Sequence, residues 1–266
     1  MTQELHMNPL VYVLREPFTL LANVDCRSIE SVLFPHCDGP TIRLVFADPP
    51  FNNGSAYDTW DDRMDPADYE HFTMRWMQSC TQLSADNAAM WINIDDANLE
   101  LILRCARILG WKQMNHCIWH FRFGQAQKNK FTVSKTHALW FVKDPADYVF
   151  EPQRVVVESV RQQMGDIRAE PEGKIPLDVW GFERFWGRIQ GNNKERTTNV
   201  NQLPEAYLSR IIKACSNELD LVFDPFCGSG TTATVARALG RRSVTCDVSS
   251  RYIEAAYRRV IGGLAR

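Results

Sequence analysis

One segment constrains this chain more than any other. Residues 219–224 ("LDLVFD") read as a buried strand, Asp224-Pro225-Phe226-Cys227-Gly228-Ser229-Gly230-Thr231-Thr232 as a glycine-rich turn, and residues 231–239 as a helix. Glycines at 228 and 230 let the backbone turn tightly and approach a ligand with no Cβ in the way. The following helix start offers unpaired N–H groups to an anionic group. Asp247 stands nineteen residues past Gly228, at the end of the next expected strand (residues 243–247). An acid in that place accepts hydrogen bonds from both hydroxyls of a ribose. Strand, glycine turn, helix, strand and terminal acid in this order require a parallel α/β sheet that binds a nucleotide-like ligand at its carboxyl edge.

The rest of the chain reads the same way. Strands are expected at residues 19–24, 41–47 and 88–94, with a short helix around 27–33. Residues 66–83 have helical spacing that turns Tyr69, Phe72, Trp76 and Leu83 toward a core. A second long helix, 97–109, is stopped by Gly110. "NHCIWHFRF" and "HALWFVK" look like two more strands joined by a polar loop. Periodicity weakens from 151 to 195, then resumes with helices from Pro204 to about 214 and over 249–260. There is no internal repeat. Alternating strands and helices predict one mostly parallel sheet covered on both faces, with the weakly patterned middle as an insertion rather than a second core.

A net charge of −2 gives no global hint of a polyanion partner, but the charge is unevenly spread. Between Leu101 and Lys143 there is no acid, and Arg104, Arg107, Lys112, Arg122, Lys128, Lys130, Lys135 and Lys143 supply eight positive charges. Residues 58–70 hold six acids against Arg63. The basic stretch is interleaved with Trp111, Trp119, Phe121, Phe123 and Phe131, a composition suited to phosphate contact with some stacking. No apolar run approaches the roughly 18 residues of a membrane span, and residues 1–10 carry Glu4 and no apolar leader core. The eight cysteines (26, 37, 80, 105, 117, 215, 227 and 246) contain no CxxC pair and are expected as buried thiols. His116 and His120 are four apart, but no acid lies near and their surroundings are strand-forming, so no metal is expected.

A second motif, Asp48-Pro49-Pro50-Phe51, follows the strand at 41–47. Because ligands of open α/β sheets bind at strand carboxyl ends, it can face the same site as the glycine turn. An ionised Asp accepts only. Two prolines donate nothing and leave their carbonyls as fixed acceptors, and Phe51 adds a flat apolar face. Acid, carbonyl and ring together suit a planar group bearing an NH₂.

With these two motifs the chain resembles the S-adenosylmethionine-dependent DNA amino-methyltransferases. Phe226-Cys227-Gly228-Ser229-Gly230 is similar to that family's cofactor motif FxGxG, and Asp48-Pro49-Pro50-Phe51 to its catalytic DPP(Y/F). The catalytic motif comes first, as in the circularly permuted β group, whose target-recognition segment lies between the two. "ANVDCRSIESVL", "KTHALWFVK" and "LGRRSVTCDVSSRYIEAAYRRV" extend the likeness along nearly the whole chain.

The resemblance implies a Rossmann-like, permuted α/β fold with an antiparallel edge pair. It places a catalytic half in residues 1–150, a recognition insertion in 151–196 and a cofactor half in 197–266. Asp48 and the Pro49 carbonyl would hold the target amine beside Pro50, with Phe51 on the base. Asp25 and Cys26 would lie near the cofactor adenine, Asp247 on its ribose and Asp224 near its methionine amine. Phe226, Cys227, Gly228, Ser229, Gly230 and Thr231 would line it. "NVNQLP" (199–204) departs from the family's HPTQKP, keeping Gln202 and Pro204, and Asn201 would stand in for a lost carboxylate contact. DNA contacts are expected from Arg122, Lys128, Lys130, Lys135, Arg188 and Lys194. Base readers are sought among Arg161, Gln162, Gln163, Arg168, Arg188, Asn192, Asn193 and Lys194.

Asp rather than Ser at 48 points to adenine N6 as the methyl acceptor in double-stranded DNA. Cytosine N4 or RNA, or a silent nucleic-acid-binding module, remain as alternatives. The likeness further implies a cytoplasmic protein of bacterial or phage origin, with a homodimer or a cognate restriction endonuclease as further partners.

Overall fold

The computed structural model describes residues 10–33, 41–121, 126, 128–181 and 202–262. Among them nine strands form one sheet: β1 (Val11–Arg15), β2 (Phe18–Asn23), β3 (Ile42–Ala47), β4 (Ser84–Ile94), β5 (Lys112–His120), β6 (Lys135–Val142), β7 (Val179–Trp180), β8 (Leu221–Asp224) and β9 (Arg242–Asp247). Their spatial order is β1-β2-β9-β8-β3-β4-β6-β5-β7. The pairs β2–β9, β9–β8, β8–β3 and β3–β4 are parallel. Strand β6 is antiparallel to both β4 and β5, and β1 is antiparallel to β2. The antiparallel pairs thus flank a parallel centre on both sides, where the sequence had suggested one such pair.

The helices are α1 (Glu30–Leu33), α2 (Pro66–Leu83), α3 (Leu99–Ile108), α4 (Val160–Gln163), α5 (Glu205–Cys215), α6 (Thr231–Ala238) and α7 (Ser250–Gly262). The first of the long ones, α2, starts where its sequence dictates. Asp65 caps it by accepting from the Ala67 N–H at 2.9 Å, and Pro66 fills the first turn, where no donor is needed. Its apolar stripe buries Tyr69, Phe72, Trp76 and Leu83 as the spacing predicts. Together with α1, α3 and the inward residues of the sheet, that stripe forms one core; Phe46, Trp91 and Trp140 on the opposite face pack against α5 and α6. A third cluster joins α7 to Leu21, Cys227 and Ala233.

Three expectations change. Strand β1 is an addition: its apolar run (residues 10–14) was not among the expected strands, and it forms a half-exposed edge paired with β2 alone. Four residues are added to the start of the strand expected at 88–94. Finally, Trp111, Trp119 and Phe121 are core residues, 3–4% exposed, and so offer no stacking surface to nucleic acid. The described cysteines are all buried free thiols.

The consequence for a site is topological. Strands β8 and β9, late in the chain, lie between β2 and β3, which come early. The carboxyl ends of β2, β9, β8, β3 and β4 therefore stand side by side along one edge.

Candidate active site

Along that edge the chain delivers, in spatial order, Asp25 just past β2, Asp247 ending β9, Asp224 ending β8 and Asp48 just past β3. All four line one cavity. Its walls include Val24, Trp60, Phe72 and Phe226, with Cys26, Cys227, Gly228, Ser229 and Thr231 from the predicted set. The two sequence motifs, 176 positions apart at Asp48 and Asp224, thus meet because β3 and β8 are neighbours.

The glycine turn is held by a lattice of backbone and side-chain bonds. Asp247 accepts from the Gly228 N–H and the Ser249 N–H, both at 2.9 Å. Asp224 accepts from the Phe226 N–H at 2.9 Å. Gly230 has φ +72°, and a Cβ there would lie 2.6 Å from the Ala256 Cβ, so glycine is required both by the turn and by α7. Arg259 of α7, which sequence reasoning did not single out, ties the turn from behind. It donates to the Ser229 carbonyl at 3.1 Å, the Thr231 hydroxyl at 2.8 Å and Glu205 at 2.8 Å. The Ser229 and Thr231 hydroxyls are thus engaged within the protein. Phe226 presents its ring edge-on to Trp76, centroids 5.3 Å apart.

Burial of carboxylates with no cationic neighbour among the described residues shows in their acidity. Asp224, 4% exposed, is pushed up to about 6 by desolvation, against which the Thr232 hydroxyl and Phe226 N–H work. Burial also raises Asp247, partly offset by its two backbone donors. By contrast Asp25, although partly desolvated, lies below the ordinary carboxylate range because Arg27 binds it through backbone and guanidinium.

Around the second motif two carbonyls are already in use. Pro50 accepts from the Tyr69 hydroxyl at 2.8 Å and Phe51 from the Asn98 side chain at 2.7 Å. Among the described residues none donates to the Pro49 carbonyl. The loop that follows is organised by Asp62, which is 2% exposed. It accepts from the backbone N–H groups of Asn52, Asn53 and Ser55 at 2.8–3.1 Å. In the sequence Asp62 reads as one more acid of a surface patch; only the fold reveals it as a loop centre. Asn93 follows the residue of β4 that pairs with Ala47, next to Asp48, and accepts from the buried Tyr207 hydroxyl at 2.6 Å. Its amide nitrogen is buried with no partner. Burial raises Tyr207 far above the phenol range, and the charge of Asp48 adds to this, as it does for Tyr57 on the cavity wall.

Of the expected nucleic-acid contacts, Lys128 and Lys130 are exposed. Lys135 is instead engaged with Asp96 and His137. Among the suggested base readers, Gln162 is consumed by a capping box with Ser159 and a bond to the Pro171 carbonyl, and Arg168 pairs with Asp166. Gln163 reaches Glu158 at 3.4 Å, and Arg161 is exposed. Arg122, Arg188, Asn192, Asn193, Lys194 and Asn201 lie outside the described residues. No metal-binding group of His, Cys, Asp or Glu occurs among the described residues.

Comparisons with known proteins bear on the family and the fold. Residues 42–258 match a family described as DNA methylase. The chain is 30% identical over 230 residues to the DNA adenine methyltransferase YhdJ of Escherichia coli strain K12, covering 83% of this chain and 76% of that protein. Among solved structures it superposes on M1.HpyAVI in complex with SAM with a TM-score of 0.66 at 18% identity, covering 91% and 98% of the two chains. It superposes on the cytosine-N4-specific PvuII DNA methyltransferase with a TM-score of 0.69 at 14% identity, covering 91% and 86%.

Proposed function

The chain belongs to the DNA methylase family, and on that footing we propose that it transfers a methyl group from S-adenosylmethionine to the N6 amine of an adenine flipped out of double-stranded DNA. The observation that carries the reading is the convergence of Asp48 and the glycine turn on one cavity that also holds Asp224 and Asp247.

The cavity suits the cofactor chemically. Asp25 and Cys26, with the apolar walls Val24 and Phe226, would receive the adenine. Each oxygen of Asp247 already takes one backbone donor and retains a lone pair for a ribose hydroxyl. Among the described residues the buried Asp224 has no cationic neighbour, and an ammonium or sulfonium would supply one. The glycine turn lets a ligand lie against bare backbone. When bound, S-adenosylmethionine supplies a methyl group already activated on sulfonium sulfur.

The chain's own residues then prepare the acceptor. An adenine N6 lone pair is delocalised into the ring and attacks poorly. Asp48 and the Pro49 carbonyl accept its two hydrogens, localise the lone pair on nitrogen and stabilise the positive charge that grows there. Pro49 is suited to this because the neighbouring carbonyls are tied to Tyr69 and Asn98. Phe51 stacks on the base, and in-line placement at about 3–3.5 Å supplies most of the remaining acceleration. Extracting the base from the duplex costs a few kcal/mol, which Phe51 stacking and phosphate contacts from Lys128 and Lys130 offset. Residues 151–196 are assigned to target recognition.

Aspartate at 48 and the likeness to an enzyme named for adenine favour N6; the fold likeness to a cytosine-N4 enzyme keeps N4 as the second reading. The test is Asp48→Ala. It abolishes methylation of DNA while cofactor affinity, read by calorimetry, stays within about twofold, a difference below the roughly 0.5 kcal/mol typical of a distant surface change. Full activity in that variant would reject the role of Asp48.

A further inference from the structure

Of the aromatic residues that interrupt the basic stretch, the fold buries Trp111, Trp119 and Phe121, and leaves Phe131 99% exposed. An isolated, fully exposed phenylalanine is costly to keep in water, and its surroundings indicate what covers it. Lys128 and Lys130 precede it, both exposed, and no acid occurs anywhere between Leu101 and Lys143. A protein partner typically meets a ring set among other apolar groups; among the described residues from 126 to 134, Val133, 48% exposed, is the only other large apolar side chain. A ring between lysines suits a surface of stacked bases edged by phosphates.

Its place in the fold adds a second argument. Phe131 belongs to the connection between β5 and β6, closed at its base by the bond from the Phe121 N–H to the Ser134 carbonyl at 2.8 Å. Because β6 runs antiparallel to β4, with His137 opposite Ile94, this connection projects from the carboxyl edge of the sheet, the edge that carries Asp48. The start of β6, where the connection ends, is held in place. Lys135 is latched to Asp96, His137 bonds Asp96 at 2.7 Å, and His116 bonds His137 at 2.7 Å. Two residues beyond Asp96, Asn98 holds the Phe51 carbonyl. The hairpin and the base-stacking residue of the active site are thus anchored to the same short loop.

We propose that Phe131 is the wedge that enters the duplex where the target base leaves it, filling the gap and stacking on the bases that remain, while Lys128 and Lys130 hold the flanking phosphates. This rests on the reading of the chain as an enzyme that flips its target. An aromatic ring in the place the base has left stacks on the bases that remain, an effect on the order of 10- to 100-fold in the flipping equilibrium.

The experiment measures single-turnover methylation by the full chain with saturating S-adenosylmethionine on two duplexes. One is intact; the other has an abasic site opposite the target adenine, so that base is unpaired from the start. Phe131→Ala slows the intact duplex on the order of 10- to 100-fold and returns to within about threefold of wild type on the abasic duplex, and Phe131→Trp keeps wild-type rates on both. Equal loss on both duplexes, or no loss on either, overturns the wedge. Both duplexes carry a sequence that the wild type is first shown to methylate in genomic DNA; if the wild type methylates no genomic DNA, the methyltransferase reading itself fails, and that result is distinct from either pattern in the variants.

Discussion

The buried carboxylate at the end of β8 makes a prediction of unusual sign: Asp224→Asn makes the cofactor-free protein more stable and the cofactor complex weaker. Asp224 is raised from its ordinary 3.8 to about 6, with burial as the largest cause. For a group raised in the folded state, the linked stability is fully present below the unfolded value and is lost as pH rises through the folded one. Between pH 3.8 and about 6 the wild type therefore gives up about 3 kcal/mol. Asparagine keeps an oxygen for the Phe226 N–H at 2.9 Å and carries no charge. Asp247 is raised too, and its charge is among the causes that raise Asp224, so the variant's advantage includes relief of that repulsion. Urea denaturation of both proteins without cofactor, from pH 5 to 8, should show the variant's advantage growing as pH rises and levelling off above about 7. Calorimetric titration with S-adenosylmethionine should show the opposite sign, a loss of about 1.5–3 kcal/mol for one charged hydrogen bond. Parallel stability–pH curves for the two proteins, or a variant less stable at pH 8, would refute the reasoning. So would unchanged cofactor affinity.

Two further perturbations probe the surroundings. Tyr207→Phe removes the donor to Asn93, leaving that buried amide without its 2.6 Å bond next to Asp48; stability should fall by about 1–3 kcal/mol, with kcat reduced and cofactor affinity retained. Loss of cofactor affinity with unchanged kcat would remove the pair from the support of Asp48. Replacing Lys128 and Lys130 together by Gln should reduce the slope of log affinity against log salt by about 2 in DNA-binding titrations. An unchanged slope would show that neither lysine meets a phosphate.

How much of this was legible in the sequence follows the range of the interactions. The glycine turn and Asp247 belong to one βαβ unit, where strand, turn, helix and acid are consecutive, so their spacing alone carries the geometry. The cap and stripe of α2 are equally local. Asp48-Pro49-Pro50-Phe51 was legible as a motif, but its meeting with the turn required β8 to insert beside β3. The fates of the basic stretch were not legible. Alternation within β5 and the pairing with β6 decide that Trp119 is core, and an acid in the loop after β4 decides that Lys135 is a latch rather than a free cation. Asp62 and the Asn93–Tyr207 pair depend on contacts across 7–114 positions with no pattern in composition.

The central claim is the identity of the transfer. Purified protein incubated with S-adenosylmethionine and unmethylated genomic DNA, followed by nucleoside mass spectrometry, should yield N6-methyladenine, absent when Asp48→Ala replaces wild type. N4-methylcytosine in its place would transfer the same site to the other amine and contradict the adenine assignment; no methylated nucleoside from wild type would contradict the account as a whole.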